Sequence, residues 1–189
     1  MLLTALLFFI LALAVQINVV KEFDRNIIII VAWYRFPTLT ILMKAISLLG
    51  AKYFLFPATV IVTIVLFIQR NRQFLTLPLT MLLAWFAMDG LKLFFARPRP
   101  AISALVEESG YSFPSGHTFM GALFFGFLAI FVMNRISSVQ GKYLVLIVTC
   151  LFLLILGFSR LYLGVHYPTD VLAGYAGGLF FLSLARSRK

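Results

Sequence analysis

Long apolar runs, separated by short charged turns, constrain this chain more than any other feature. No Asp, Glu, Lys or Arg interrupts Tyr53–Ile68 or Tyr143–Phe158. Such runs approach the roughly 20 residues a helix needs to cross a hydrocarbon core. Of the 189 residues, 62% are hydrophobic and only 12% charged, and the mean hydropathy is +1.05. A soluble domain of this size has no way to hide so much apolar surface. The fold class is therefore all-α and integral to a membrane.

Six transmembrane helices are expected, over about Leu2–Val20, Lys52–Ile68, Leu75–Ala96, His117–Met133, Tyr143–Leu161 and Pro168–Leu184. The first has no basic leading segment and is long for a signal's apolar core, so it reads as a retained span. The polar step Lys21–Arg25 follows it. Between the first and second spans, Asn26–Gly50 is too broken to cross. Pro37 interrupts it, and Trp33, Tyr34 and Arg35 resemble an interfacial belt. One helix lying at the surface is expected there, then a second surface or re-entrant helix over Thr38–Leu49. No internal repeat or second domain is visible, so residues 1–189 read as one domain.

The net charge is +10, from 16 Lys and Arg against 6 acids. In a membrane chain this points to anchoring charges and an anion site, with no nucleic acid partner. Placing both termini in the cytoplasm puts Arg70, Arg72, Arg135, Lys142, Arg186, Arg188 and Lys189 on that side with no acid among them. Lys21, Arg25, Arg35, Arg97 and Arg99 then lie on the outer side. The sole cysteine, Cys150, excludes an intramolecular disulfide and reads as a lipid-facing or packing residue.

The remaining polar residues gather in three places. These are Lys92 to Arg99-Pro100, Pro114-Ser115-Gly116-His117, and Ser159-Arg160 to His166 and Asp170. Counting spans puts all three at one membrane face. Lys92, Arg99 and Arg160 are cations whose burial is costly without a compensating anion. Arginine forks suit phosphate oxygens, and lysine adds a point charge. Ser115-Gly116 opens a helix, whose free amides and dipole extend an anion cradle, and glycine allows close backbone approach. The chain's two histidines, His117 and His166, both fall in these clusters. Asp170 lies four residues after His166, a spacing that puts both on one helix face. It could accept the Nδ1 proton of His166 and leave Nε2 to attack phosphorus, while His117 donates a proton to the leaving group. Around this constellation, Lys92 reads as snorkelling or paired with Asp89, and Arg97 as a headgroup contact or a site residue. Glu107 and Glu108 read as a solvated loop face, and Phe94, Phe95, Tyr162 and Tyr167 as packing or interfacial residues.

This pattern resembles the signature of the type 2 phosphatidic acid phosphatase family, whose catalytic core is related to vanadium haloperoxidases. The signature runs Lys, six residues, Arg-Pro; Pro-Ser-Gly-His; Ser-Arg, five residues, His, three residues, Asp. Lys92…Arg99-Pro100, Pro114-Ser115-Gly116-His117 and Ser159-Arg160…His166…Asp170 match it without departure. The resemblance implies a six-helix fold in a bacterial plasma membrane, with the active site on the outer, periplasmic side. It implies His166 as nucleophile, Asp170 as its orienting partner and His117 as general acid. Lys92, Arg99, Ser115, Gly116 and Arg160 would hold phosphoryl oxygens, with no metal and no cofactor. The implied partners are a lipid phosphate substrate and membrane lipids; oligomeric state is left open. The substrate expected is a phosphomonoester or diphosphate of an envelope lipid, with undecaprenyl diphosphate and phosphatidylglycerophosphate favoured equally. The alternatives are a lipid A 1-phosphatase of the same family and a non-catalytic phospholipid-binding membrane protein.

Overall fold

A computed structural model describes residues 1–71, 74–101 and 104–186. Three basic residues used above for topology, Arg72, Arg188 and Lys189, lie outside them. Among the described residues there are eight helices and no strand: α1 Leu2–Ala14, α2 Asn18–Trp33, α3 Pro37–Leu49, α4 Lys52–Ile68, α5 Thr76–Phe95, α6 Gly116–Met133, α7 Val139–Tyr162 and α8 Pro168–Arg186. By length and hydropathy α5, α6 and α7 can each cross a membrane. The number rises to as many as five if the bent pairs α1–α2 and α3–α4 each count as one crossing. In α8 the polar first turn and three glycines dilute the hydropathy.

The expected first span, Leu2–Val20, is not one helix. α1 stops at Ala14, and α2 leaves it at 93°. Thirteen residues rise only about 20 Å, short of the roughly 30 Å hydrocarbon thickness. The polar step Lys21–Arg25 is thus a helical turn inside α2, with Asp24 and Ile28 buried and Lys21, Glu22 and Arg25 exposed. Hydropathy alone carries the run through Val15–Ile17. The break follows from what each half packs on. Ala12 and Val15 join Phe113 and Ala173 in one apolar cluster, and Asp24 is drawn towards a cation described below. α4 matches its expected bounds, and α3 follows Pro37, which suits the first turn of a helix. Cys150 is exposed on α7, in keeping with a lipid-facing position.

α6 and α8 form the centre of the bundle and pack more extensively than any other pair. Apolar tails outside are as favourable as leucine inside, so close backbone approach drives such pairing in a membrane. Gly174 and Gly178 provide it. A Cβ on Gly174 would stand 2.7 Å from the Ser115 carbonyl oxygen, and one on Gly178 would strike the Phe119 carbonyl. The approach locks the start of α8 against the start of α6, where the Ser115 N–H donates to the Asp170 carbonyl at 3.0 Å. Two of the three sequence clusters are joined at this point.

The third element is the end of α7. Gly164 takes φ +73°, its N–H bonds the Leu161 carbonyl at 2.9 Å, and the Val165 N–H bonds the Arg160 carbonyl at 3.2 Å. These two bonds close the helix in a Schellman turn, for which glycine supplies the left-handed residue. The chain reverses there and delivers His166 to the head of α8.

Candidate active site

The three clusters meet around one cavity of about 830 Å³. Lys92, Arg99, Gly116, His117, Arg160 and His166 all line it, and Ser115 lies buried beside it. On one side the cavity continues along Leu55, Phe56, Met81, Trp85 and Met88 of α4 and α5. A polar chamber therefore opens onto an apolar wall, the profile of a site for an amphipathic molecule.

His166 is 2% exposed. Its Nδ1 lies 3.6 Å from Asp170 Oδ2, and its Nε2 lies 3.3 Å from an Arg99 guanidinium nitrogen. A guanidinium only donates, so Nε2 is the acceptor and the ring proton sits on Nδ1, facing Asp170. The Nδ1–Oδ2 distance exceeds a hydrogen bond. Asp170 Oδ2 already accepts from the Ser112 hydroxyl and, at 2.8 Å, from the Tyr167 N–H. Burial, with Arg160 and Arg99 nearby, lowers the His166 pKa to about 4 against the pull of Asp170. At neutral pH the imidazole is uncharged, and Arg99 donates to its Nε2 lone pair.

The cations are held in different ways. Lys92 donates to the Tyr111 carbonyl at 2.7 Å, and makes no ion pair with Asp89. Arg99 donates to the carbonyls of Gly110, Ser109 and Val165 at 2.9–3.0 Å. Arg160, 1% exposed, reaches the Ser47 hydroxyl with one nitrogen and Glu108 with another, while its Nε has no partner among the described residues. The Ser115 hydroxyl, at the N-cap of α6, is likewise buried without a partner among the described residues. Buried polar groups are rarely left unpaired; Arg160 lines the cavity, and Ser115 precedes Gly116, which does. Among the described residues no group of three or more His, Cys, Asp or Glu is placed to share a metal ion.

Two sequence readings change here. Glu108 is not a solvated loop residue: its carboxylate pairs with Arg160 and stands 4.0 Å from Arg99. An anion thus sits at the cradle. Arg97 is no headgroup contact either. Its guanidinium pairs with Asp170 Oδ1 at 2.6 Å and Asp24 Oδ2 at 2.7 Å, donates to Thr169 Oγ1 at 2.8 Å, and lies 4.2 Å from the Tyr167 ring centre. Burial lowers its pKa, but the Asp170 and Asp24 carboxylates outweigh that, and the net shift is upward. Asp24 is fully buried and also accepts from the Thr169 N–H at 3.1 Å. Its sequence neighbourhood carries no such signal, because its partner lies 73 residues away. Tyr162, read as packing or interfacial, packs in a buried apolar cluster, and the Phe36 N–H of the α2–α3 turn donates to its hydroxyl at 3.0 Å.

Chemically, the cavity offers an uncharged imidazole backed by a carboxylate, a second histidine, three cations and a helix N-terminus. That set suits attack on a tetrahedral oxyanion centre whose charge is spread over several oxygens.

Known proteins resemble this chain in sequence and in fold. Phosphatidylglycerophosphatase B of Bacillus subtilis is 35% identical over 187 residues, covering 96% of this chain and 90% of that protein. An undecaprenyl-diphosphatase of Sulfolobus acidocaldarius is 28% identical over 95% of this chain and 87% of its own length. The crystal structure of a transmembrane PAP2-type phosphatidylglycerolphosphate phosphatase from Bacillus subtilis superposes with a TM-score of 0.92 at 34% identity, covering 98% of this chain and 94% of that one. Residues 73–188 match the family model as well, and the chain is a member of the PAP2 superfamily.

Proposed function

We propose that this protein is a membrane lipid phosphatase that removes a terminal phosphate through a phosphohistidine intermediate at His166. The observation that carries this reading is the meeting of His166, His117 and three cations in a cavity walled on one side by apolar side chains. The phosphate enters the polar chamber and the lipid tail lies along α4 and α5.

The phosphoryl oxygens take the donors of Lys92, Arg99 and Arg160, the Ser115 hydroxyl and the amides opening α6, and displace Glu108. The Nε2 lone pair of His166 attacks phosphorus, and the bond from phosphorus to the ester or anhydride oxygen breaks. His117, which takes up a proton when the anionic phosphate binds among the cations, gives that proton to the departing oxygen, while Asp170 stabilises the positive charge on the phosphorylated ring. Neutral His117 then takes a proton from water, the hydroxide attacks phosphorus, and the N–P bond returns its pair to Nε2. His117 is again protonated, and phosphate leaves. Side-chain cations supply all the positive charge, so turnover needs no metal.

Among substrates, phosphatidylglycerophosphate is favoured, because the Bacillus subtilis relative that bears that activity in its name aligns over nearly the whole chain. Undecaprenyl diphosphate stands second. The proposal includes six crossings, formed by α4, α5, α6, α7 and α8 and by the bent pair α1–α2 counted as one, with α3 near the interface. It places both termini in the cytoplasm, the site at the outer face of the plasma membrane, and the catalytic machinery in one domain.

Purified protein in detergent, given a panel of lipid phosphates and diphosphates with EDTA present, is expected to release inorganic phosphate, fastest from phosphatidylglycerophosphate. No release from any lipid by folded protein would favour a phospholipid-binding role instead. Release abolished by EDTA and restored by a divalent ion would overturn the metal-free mechanism.

A further inference from the structure

The sequence signature leaves Arg97 and Asp24 unassigned, yet they form the most fully paired polar cluster beneath the cavity. Arg97 comes from the loop after α5, Asp24 from α2, and Asp170 and Thr169 from the first turn of α8. None of the four lines the cavity. Each nevertheless connects to the residue that does, since Asp170 is the only carboxylate facing His166 Nδ1 among the described ion pairs.

The division of labour within Asp170 is specific. Oδ1 is taken by Arg97, while Oδ2, which also accepts from the Ser112 hydroxyl and the Tyr167 N–H, faces Nδ1. Holding one oxygen fixes the plane of the carboxylate and hence the direction of the other. Arg97 is itself fixed by Asp24 through its other terminal nitrogen, and by Thr169, whose hydroxyl also donates to Asp24. Charge matters as well as direction. An unshared guanidinium at 2.6 Å would oppose the positive charge that His166 gains when it bonds to phosphorus. Asp24 offsets that cation, so the cluster of Asp24, Arg97 and Asp170 keeps one net negative charge for the ring.

We infer that Asp24 and Arg97 are positioning residues, a carboxylate–guanidinium pair that aims Asp170 at His166 and keeps it negative through the covalent step. The inference rests on the phosphatase reading of His166. It ties α2, which contributes nothing to the cavity wall, to the chemical step.

The test is the kinetics of phosphate release from phosphatidylglycerophosphate in mixed micelles by wild type, Asp24→Asn, Arg97→Gln and the double variant. Asp24→Asn is expected to lower kcat about 10–100-fold, the usual cost of losing a partner that orients an active-site ligand, with KM within about threefold of wild type. If Asp24 acts through Arg97, the double variant is no slower than Arg97→Gln alone. A kcat within about threefold of wild type for Asp24→Asn, a KM that rises as kcat falls, or losses that add in the double variant would each overturn the inference. Should Asp24→Asn not fold, Thr169→Val reads the same link: a lowered kcat at unchanged KM supports it, and an unchanged kcat overturns it. Wild-type protein that releases no phosphate overturns the phosphatase reading and this inference with it, whereas active wild type beside a near-normal Asp24→Asn overturns this inference alone.

Discussion

Replacing His166 with alanine or asparagine is expected to lower phosphate release by on the order of 10⁴–10⁶-fold, as loss of a covalent nucleophile does elsewhere. The size of the effect follows from the site having no substitute. His117 lies on α6, and the pairing of His166 with Asp170 is the only histidine–carboxylate contact among the described residues. Asparagine is the more telling replacement, because its amide can keep a donor near the Nδ1 position and so retain the link to Asp170. Both variants should keep the wild-type elution volume and helix content, since His166 is placed by the turn at Gly164 rather than the reverse. Residual turnover within about tenfold of wild type in a folded variant would remove His166 from the nucleophile's role.

Arg160→Met is expected to cost about 10²–10³ in kcat/KM, the usual loss when one donor to developing oxyanion charge is removed. Arg160 is nearly fully buried and, among the described residues, its Nε has no partner and its side chain bonds only Ser47 and Glu108. A buried cation with spare donors at a cavity is built to receive an anion, and Glu108 pairs with it in the structure. Arg160→Lys should recover only part of the loss, because an ammonium cannot present the planar fork that grips two oxygens. The control is Glu108→Gln, which frees Arg160 without removing it and should leave kcat/KM at or above the wild-type value. If Arg160→Met loses less than about tenfold, the arginine's task is to anchor Glu108 and Ser47, and the cradle consists of Lys92, Arg99 and the α6 amides.

The sequence made some of this plain and concealed the rest, for identifiable reasons. α4 was readable to the residue because Lys52 and the Gln69-Arg70 turn bracket an uninterrupted apolar run. Lys92, Arg99, Ser115, Gly116, His117, Arg160, His166 and Asp170 carry a spacing pattern that composition would not produce by accident, and span counting places them at one face. What failed was everything decided by contacts between distant segments. The kink after Ala14 has no local breaker, neither glycine nor proline, and follows from where α1 and α2 each pack. Asp24 looks like any charge in a polar step, and its burial depends on Arg97, whose own partners lie in α2 and α8. Glu108 looks solvated because nothing in its neighbourhood reveals that Arg160 will lie against it. Hydropathy and local pattern report the solvent a segment prefers, and ion pairs across the bundle are invisible to both.

The most direct test of the central claim is to quench turnover of substrate labelled on its terminal phosphate and recover the protein. Phosphohistidine survives base and is lost in acid. The account predicts label on a peptide containing His166 after alkaline quench, little or none after acid quench, and none in His166→Asn. A label that survives acid, or one that maps to Ser115 or Asp170, would contradict it.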